Sequence, residues 1–502
     1  MELSFQTSPM EFLRCVTQDV RTQEETAETI VPDSFPDIAS IADCSAVPIL
    51  RGKDCRNGGV TVSGGVKGTI LYTPEDRTFP RRLEVYIPFS MKFEHPELTE
   101  NAQILCSIRV CDLDARAVNS RKAMLRVELS CEILAYEQTE EKLYTMQQGQ
   151  SEIQTRTAGY QVRLPLEIAE KSFVISDDLD LSNGHPPVAQ IYKASCVPEL
   201  TDQKLVGNKA VFKGILHCKL LCLSENQELF LEQVQLPFSQ YCELERDYDQ
   251  EEASVYPVVT GYDLELEGGE SAQRVLLTAN ILAQTVVSGT QSITLVEDAY
   301  STKGNFVPQW KEYTMDSCLD QQASTQTVRQ HLPGEIREVL DCDVYWNYPV
   351  FARRDQQMEV SVPAKIRVLG YDESGDLHTL RASAEATQSF ALSCNAQCRT
   401  TTAPVGEILT AKTADGVEAR CALSMVTSCY SGQKLRTLCG GTVEEEIGDK
   451  SRPSVILRKV PGETSLWELA KLYGSTEEAI RRANHLDAER LAEDALLLLP
   501  IG

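Results

Sequence analysis

The chain has 502 residues, 42% of them apolar, and a formal charge of −26 from 48 basic and 74 acidic side chains. At roughly 150 residues per domain this is three or four domains with ordinary packed cores, and the acidic balance argues against a nucleic-acid partner, which needs clustered Lys and Arg. No apolar run approaches the ~20 residues that span a bilayer, and the opening Met-Glu-Leu-Ser-Phe-Gln-Thr has neither the basic nor the apolar region of an export signal, so the expectation is a cytoplasmic protein with no transmembrane segment. Seventeen cysteines, an odd number without regular close pairs, fit a reducing compartment in which they serve as small buried hydrophobes.

Internal repeats decide the fold class. Phe35-Pro-Asp-Ile-Ala-Ser-Ile41 with Ser45-Ala-Val-Pro48 returns as His185-Pro-Pro-Val-Ala-Gln-Ile191 with Ser195-Cys-Val-Pro198, 150 residues on. A third version, Pro333-Gly-Glu-Ile-Arg-Glu-Val339, follows after another 148. In each the apolar pair (Ile38/Ile41, Val188/Ile191, Ile336/Val339) sits three apart behind Pro or Gly, which predicts a short leading helix.

Strand patterns follow each leader. In the first copy Val60–Tyr72, Leu83–Phe93, Ile104–Val110 and Ala123–Ile133 alternate apolar and polar residues. The second copy carries Phe212–Cys222, Leu236-Pro-Phe-Ser239 (matching Ile87-Pro-Phe-Ser90) and Val275–Val286; the third carries Val360–Leu369 and Cys421–Cys429. One buried face per strand predicts a mainly β protein of three tandem sandwich- or barrel-like repeats, at 1–150, 160–303 and 320–447. Polar stretches at Met146–Gly159, Thr302–Gln326 and Thr442–Pro453 read as linkers.

Catalytic and metal motifs do not assemble. Gly64-Gly-Val-Lys-Gly-Thr69 lacks the spacing of a phosphate loop and reads as a sheet bulge. Asp178-Leu-Asp-Leu-Ser-Asn-Gly184 has its Gly one place late for a calcium loop and no Glu at the twelfth position, so it reads as a capped turn. On a strand, His217 faces away from Cys218 and Cys222, and Cys394-Asn-Ala-Gln-Cys398 has no second half; neither predicts a metal site. Acidic pairs for glycoside hydrolysis are set by distance rather than spacing, and the carboxylates read as solvated outer-face charge. The expectation is a non-enzyme without metal or cofactor.

From Val455 the period changes. A strand Val455–Lys459, a capping box at Ser465-Leu-Trp-Glu468 opening a helix Leu466–Tyr473, a second at Ser475-Thr-Glu-Glu478 opening Glu477–Ala483, and a strand Leu496–Leu499 make a β-α-α-β unit at 453–502. Trp467 reads as core. Pro461-Gly-Glu-Thr-Ser-Leu-Trp through Tyr473-Gly to Asn484 resembles the LysM family. That resemblance implies a groove between two loops, here Gly462, Glu463 and Thr464 against Asn484, His485 and Leu486, with Ile480 and Leu486 as candidate apolar anchors and N-acetylglucosamine glycans such as peptidoglycan as the family's usual ligand. Ser465 is an extra residue in the pattern, and Glu493-Asp494 stands where the family has Pro-Gly.

Val31-Pro-Asp-Ser-Phe-Pro-Asp-Ile38 with Val60–Tyr72 is similar to the SPOCS domain of clostridial spore-coat proteins. Tandem SPOCS copies closed by one LysM is the arrangement of the SipL-type coat morphogenetic proteins. The resemblance implies a mother-cell protein at the forespore surface, whose LysM binds a coat ATPase of the SpoIVA type, with other coat proteins as further partners. The rival expectation is peptidoglycan binding.

Overall fold

A computed structural model describes residues 5–146, 152–181, 187–267, 274–392, 396–445, 453–486 and 494–501. Nearly all of it is antiparallel strand. The first unit runs β1 (Phe5–Ile30), β2 (Ile38–Arg56), β3 (Gly59–Pro74), β4 (Arg81–Glu94), β5 (Gln103–Asn119) and β6 (Lys122–Met146). The second runs β7 (Ile153–Asp180), β8 (Val188–Ser224), β9 (Leu229–Tyr248), β10 (Glu252–Glu267) and β11 (Arg274–Ser301). The third runs β12 (Gly304–Pro333), β13 (Glu338–Trp346), β14 (Val350–Arg354), β15 (Gln357–Tyr371), β16 (Leu377–Ala391), β17 (Gln397–Lys412) and β18 (Gly416–Glu445). Last come β19 (Val455–Val460), α1 (Leu466–Tyr473), α2 (Glu477–Asn484) and β20 (Ala495–Pro500).

One connectivity recurs three times. The sheets β1-β6-β5, β7-β11-β10 and β12-β18-β17 each place the last long strand between the first and the penultimate one. Against these lie β2-β3-β4, β8-β9 and the β13–β16 sheet. The alternating positions face inward: Val60, Val62, Val66 and Ile70 of β3 pack with Leu83, Ile87 and Phe89 of β4 and with Leu125, Val127, Leu129 and Ile133 of β6. Phe212, Leu216 and Leu220 do the same with Val275, Leu277 and Ile281. Each unit is thus a two-layer sandwich with its own core, open and not closed into a barrel.

Three sequence expectations are corrected. The leading helices are strands: Ile38 and Ile41 lie in β2, Val188 and Ile191 in β8, and Val339 in β13 just after Ile336. Bulges between Ile38 and Ser40, Ile41 and Asp43, and Val339 and Asp341 add an extra residue to the ladder, which imitates the three-residue spacing of a helix. The supposed linker Thr302–Gln326 is mostly β12, paired along its length with β18; polar residues fill its solvent side while Tyr313, Met315 and Ser317 are buried. Likewise Ile153–Gly159 and Thr442–Glu445 belong to β7 and β18, while 147–151 and 446–452 lie outside the described residues. Gly64 and Gly65 pair regularly with Phe89 and Pro88, and the bulge expected there falls on the facing strand between Leu50 and Gly52. Gly64 must be glycine, since a Cβ there meets the Ile49 carbonyl at 2.1 Å, and Gly214 is crowded in the same way by the Glu199 carbonyl and the Phe238 ring; a Cβ on Gly65 meets only the outer end of the exposed Tyr86 side chain.

The bulges aim side chains at the place where the three units meet. Lys193 contacts Asp43 Oδ2 (3.4 Å) and Asp341 Oδ2 (2.7 Å), residues 150 before it and 148 after it, and also Asp343. Lys219 bonds Asp341 Oδ1 (2.6 Å), the Cys342 carbonyl (2.9 Å) and Asp343. Arg367 bonds Asp43 Oδ1 (2.9 Å) and the Leu113 carbonyl (3.1 Å). Three carboxylates and three cations form a neutral set, of which Asp43, Asp341, Arg367 and Lys193 are all but inaccessible. Burial opposes ionisation of Asp43 and Asp343, yet Lys193, joined by Arg367 for the first and Lys219 for the second, outweighs it and holds both carboxyls below the usual carboxylate range. Around the cluster Leu71, Leu221 and Leu369, spaced by the same two offsets, pack with Ala42, Tyr192 and Leu223. Polar locks flank it. The Gln284 side chain pairs with both N–H and C=O of Cys106 (2.9 and 2.8 Å), and Ser107 meets the Tyr348 hydroxyl (2.7 Å). A second meeting point joins Met10 and Phe12 to Val162, Leu164, Tyr313 and Met315.

Removing the central cation leaves the buried set one positive charge short, with three carboxylates sharing Lys219 and Arg367. Lys193→Met is expected to lower stability by about 3–5 kcal/mol, read as the shift in urea midpoint multiplied by its slope. Because Asp43 and Asp343 have depressed pKa values in the folded state, their contribution is present above the unfolded carboxylate pKa of about 3.9 and is lost as pH falls below it. Wild-type melting temperature should therefore drop steeply below about pH 4, and more shallowly in Asp43→Asn.

Candidate functional site

The C-terminal unit is built as its sequence predicts in outline. β19 and β20 pair antiparallel from Val455/Pro500 to Val460/Ala495. Leu466, Leu469, Ala470 and Ile480 from the helices pack on Val460, Leu497 and Leu499. The caps differ in detail from the expected boxes. Ser465 precedes α1 without a side-chain cap bond, and the second cap is Thr476, one residue past Ser475, whose hydroxyl accepts from the Ala479 N–H (3.1 Å). Gly474 and His485 end the helices in the left-handed region.

The loops expected to form a groove are both tied to β20. The Gly462 N–H donates to Asp494 Oδ1 (2.9 Å), just before that strand. Glu463 is exposed and held at φ 63°, and the Thr464 hydroxyl donates to the Pro461 carbonyl (2.7 Å). On the other side the Asn484 amide donates to the carbonyls of Ile480 (2.8 Å) and Leu498 (2.6 Å) and accepts from the Leu498 N–H (2.7 Å), clamping α2 to β20 as a strand partner would. His485 is exposed, Leu486 is half-buried against the unit's core, and Ile480 is completely enclosed in that core. Ile480 therefore presents nothing to the groove. Residues 487–493, with Glu493, lie outside the described residues.

Sequence reasoning missed how this unit is held. A bulge between Val296 and Asp298 of β11 turns the Asp298 carboxylate out of the second sandwich. There it accepts from the Trp467 indole N–H (2.8 Å) and from the Lys471 ammonium (2.7 and 2.9 Å). Burial opposes ionisation of Asp298, but the bonds from Lys471 and Trp467 outweigh it and hold its carboxyl low. The Tyr300 ring stands edge-on to Trp467 at 5.0 Å and its hydroxyl donates to the Ser475 carbonyl (2.9 Å). Trp467 is buried, as expected of a core residue, but Asp298 and Tyr300 of another unit pack against it. Among the described residues, the bonds made to β11 come from Trp467, Lys471 and Ser475, and none from 462–464 or 484–486. No sequence signal marks Asp298-Ala-Tyr300, which is an ordinary polar strand end.

His217 Nε2 bonds Glu199 Oε2 (2.7 Å) on the face opposite the buried Cys218 and Cys222. Asp178 and Asp180 lie in β7, whereas Gly184 and Cys394 are outside the described residues. Among the described residues no group of three or more His, Cys, Asp or Glu is placed to hold a metal ion, and no helix is long and apolar enough to cross a membrane. Two clefts are shallow: one of about 290 Å³ between Met10, Leu166 and Arg246, the other of about 440 Å³ at the β2–β3 turn beside the end of β4. No known family model, no characterised protein and no solved structure matches the chain.

Asp298 accepts three bonds, so Asp298→Ala should loosen the C-terminal unit from the body. Hydrogen exchange of backbone amides in 466–475 is expected to speed up about tenfold or more, in line with the 1.5–3 kcal/mol typical of bonds to a charged group. Asp298→Asn, which keeps an acceptor for Trp467, should show a smaller change.

Proposed function

We propose that the chain is a non-enzymatic assembly protein of the spore-coat type. In this reading the three sandwich units are SPOCS-like repeats that form the scaffold and meet other coat proteins. The unit at 453–502 is a LysM-like module that binds a coat ATPase of the SpoIVA type on the mother-cell face of the forespore.

The observation that carries the choice of a protein over a glycan is the state of the groove's polar groups. The Gly462 N–H, the Thr464 hydroxyl and both ends of the Asn484 amide already have partners inside the unit. Sugars are held by small polar groups that face them, whereas protein contacts concentrate on a few apolar or charged anchors. What remains outward is Glu463, His485 and part of Leu486. Docking through Trp467, Lys471 and Ser475 leaves those three residues untouched, which suits a module presented by a rigid body.

The test uses the full-length protein. It is expected to be captured by the coat ATPase and to pass over insoluble peptidoglycan without retention. Glu463→Lys, at an exposed position, should weaken capture about tenfold, or 1.4 kcal/mol, without changing the melting temperature. Retention on peptidoglycan comparable to a wall-binding LysM control would replace this reading with the glycan one.

A further inference from the structure

Two strands of the third sandwich bring a pair of thiols together. Cys398, at the start of the edge strand β17, stands directly opposite Cys429 of β18, with the sulfurs 3.3 Å apart. Cys429 is fully buried and Cys398 half-buried, so Cys398 is the more accessible member of the pair. Residues directly opposite in an antiparallel ladder have the Cα separation that a disulfide spans, and bond formation here needs the sulfurs to approach by only about 1.3 Å.

We propose that Cys398 and Cys429 are a dithiol–disulfide site, closed by a small-molecule disulfide of the oxidised-glutathione class. The Cys398 thiolate attacks one sulfur of the oxidant, forming a mixed disulfide and releasing one reduced thiol. The Cys429 sulfur then attacks Cys398 Sγ, closing the protein disulfide and expelling the second reduced thiol. Both protein thiols lose a proton and together give up two electrons, which the oxidant's sulfur–sulfur bond takes up. The order of attack follows from the surroundings: burial pushes the Cys429 thiol up to about 12, so it is the half-exposed sulfur that meets the oxidant first.

A second close pair serves as an internal contrast. Cys106 and Cys131 approach to 3.6 Å but are both enclosed in the first core, out of reach of a reagent. Closure at Cys398 has a local consequence. The next residue, Arg399, stacks on Tyr430 (4.6 Å) and reaches the Tyr136 hydroxyl of the first unit (3.4 Å), so the disulfide braces the edge strand where two units touch.

Reduced full-length protein treated with oxidised glutathione, acid-quenched and alkylated, should be about 2 Da lighter before alkylation, with a Cys398–Cys429 cross-linked peptide. The reaction should accelerate from about pH 7 to pH 9 as thiolate forms. Cys429→Ser should stop at one glutathione on Cys398, a gain of about 305 Da, and Cys398→Ser should gain nothing at position 429. Full alkylation of both thiols after oxidant treatment, or a bond that maps to Cys106–Cys131 or between chains, overturns the proposal. Wild type and Cys398→Ser decide it even if Cys429→Ser fails to fold.

Discussion

The ion cluster at the centre is the interaction on which the rest of the molecule depends. The apolar contacts between the sandwiches, at Leu71, Leu221 and Leu369 and at Met10 and Phe12, favour association but, being non-directional, give no reason for one mutual arrangement. A buried Lys193 flanked by Asp43, Asp341 and Asp343 supplies that reason, because each charge is tolerable away from water only when the others are in place. The first unit brings a carboxylate, the second two ammoniums, the third two carboxylates and a guanidinium. No single unit is neutral there, and all three together are. Buried ion pairs contribute little to net stability but penalise every arrangement that separates them.

Local backbone irregularity makes this possible. A regular strand sends successive side chains to opposite faces, so a residue on an inner-layer strand points into its own core or out to solvent. The bulges at Ala42 and Leu340 break that alternation, and Asp43 and Asp341 emerge toward the neighbouring units. The same device recurs in β11, where the bulge before Asp298 provides the seat for Trp467 and Lys471. Both the assembly of the body and the attachment of its terminal unit thus rest on carboxylates displaced from their expected face.

The C-terminal unit consequently belongs to the body as well as to itself. Tyr300 is part of its hydrophobic cluster although it lies on β11. Its polar loop groups are turned inward, the Asn484 amide above all, while among the described loop residues Glu463, His485 and the edge of Leu486 stay outward. Ile480 shows why spacing could not settle the groove: a helix has one apolar stripe, and whether a given member faces the core or a ligand depends on what covers it.

By itself the sequence determined which segments alternate, and hence the strands from Val60 to Ile133, the matching set in the second unit, both C-terminal helices and the β-α-α-β order. These are properties of period and of local breakers, which act within a few residues. The 150- and 148-residue recurrence was equally legible, since it is a property of the string. Tertiary structure alone decided that the polar run Gly304–Gln326 is a strand, because its ladder partners, from Glu445 opposite Gly304 to Leu423 opposite Gln326, lie far along the chain on β18. It alone decided that Ile38 and Ile41 sit on a bulged strand, and that the charges at positions 43, 193 and 341 meet in one buried cluster. Asp298 and Trp467 are 169 residues apart and meet only in the folded chain. A backbone hydrogen bond or a buried charge is satisfied by whatever the fold delivers to it, and neither leaves a mark on its own stretch of sequence.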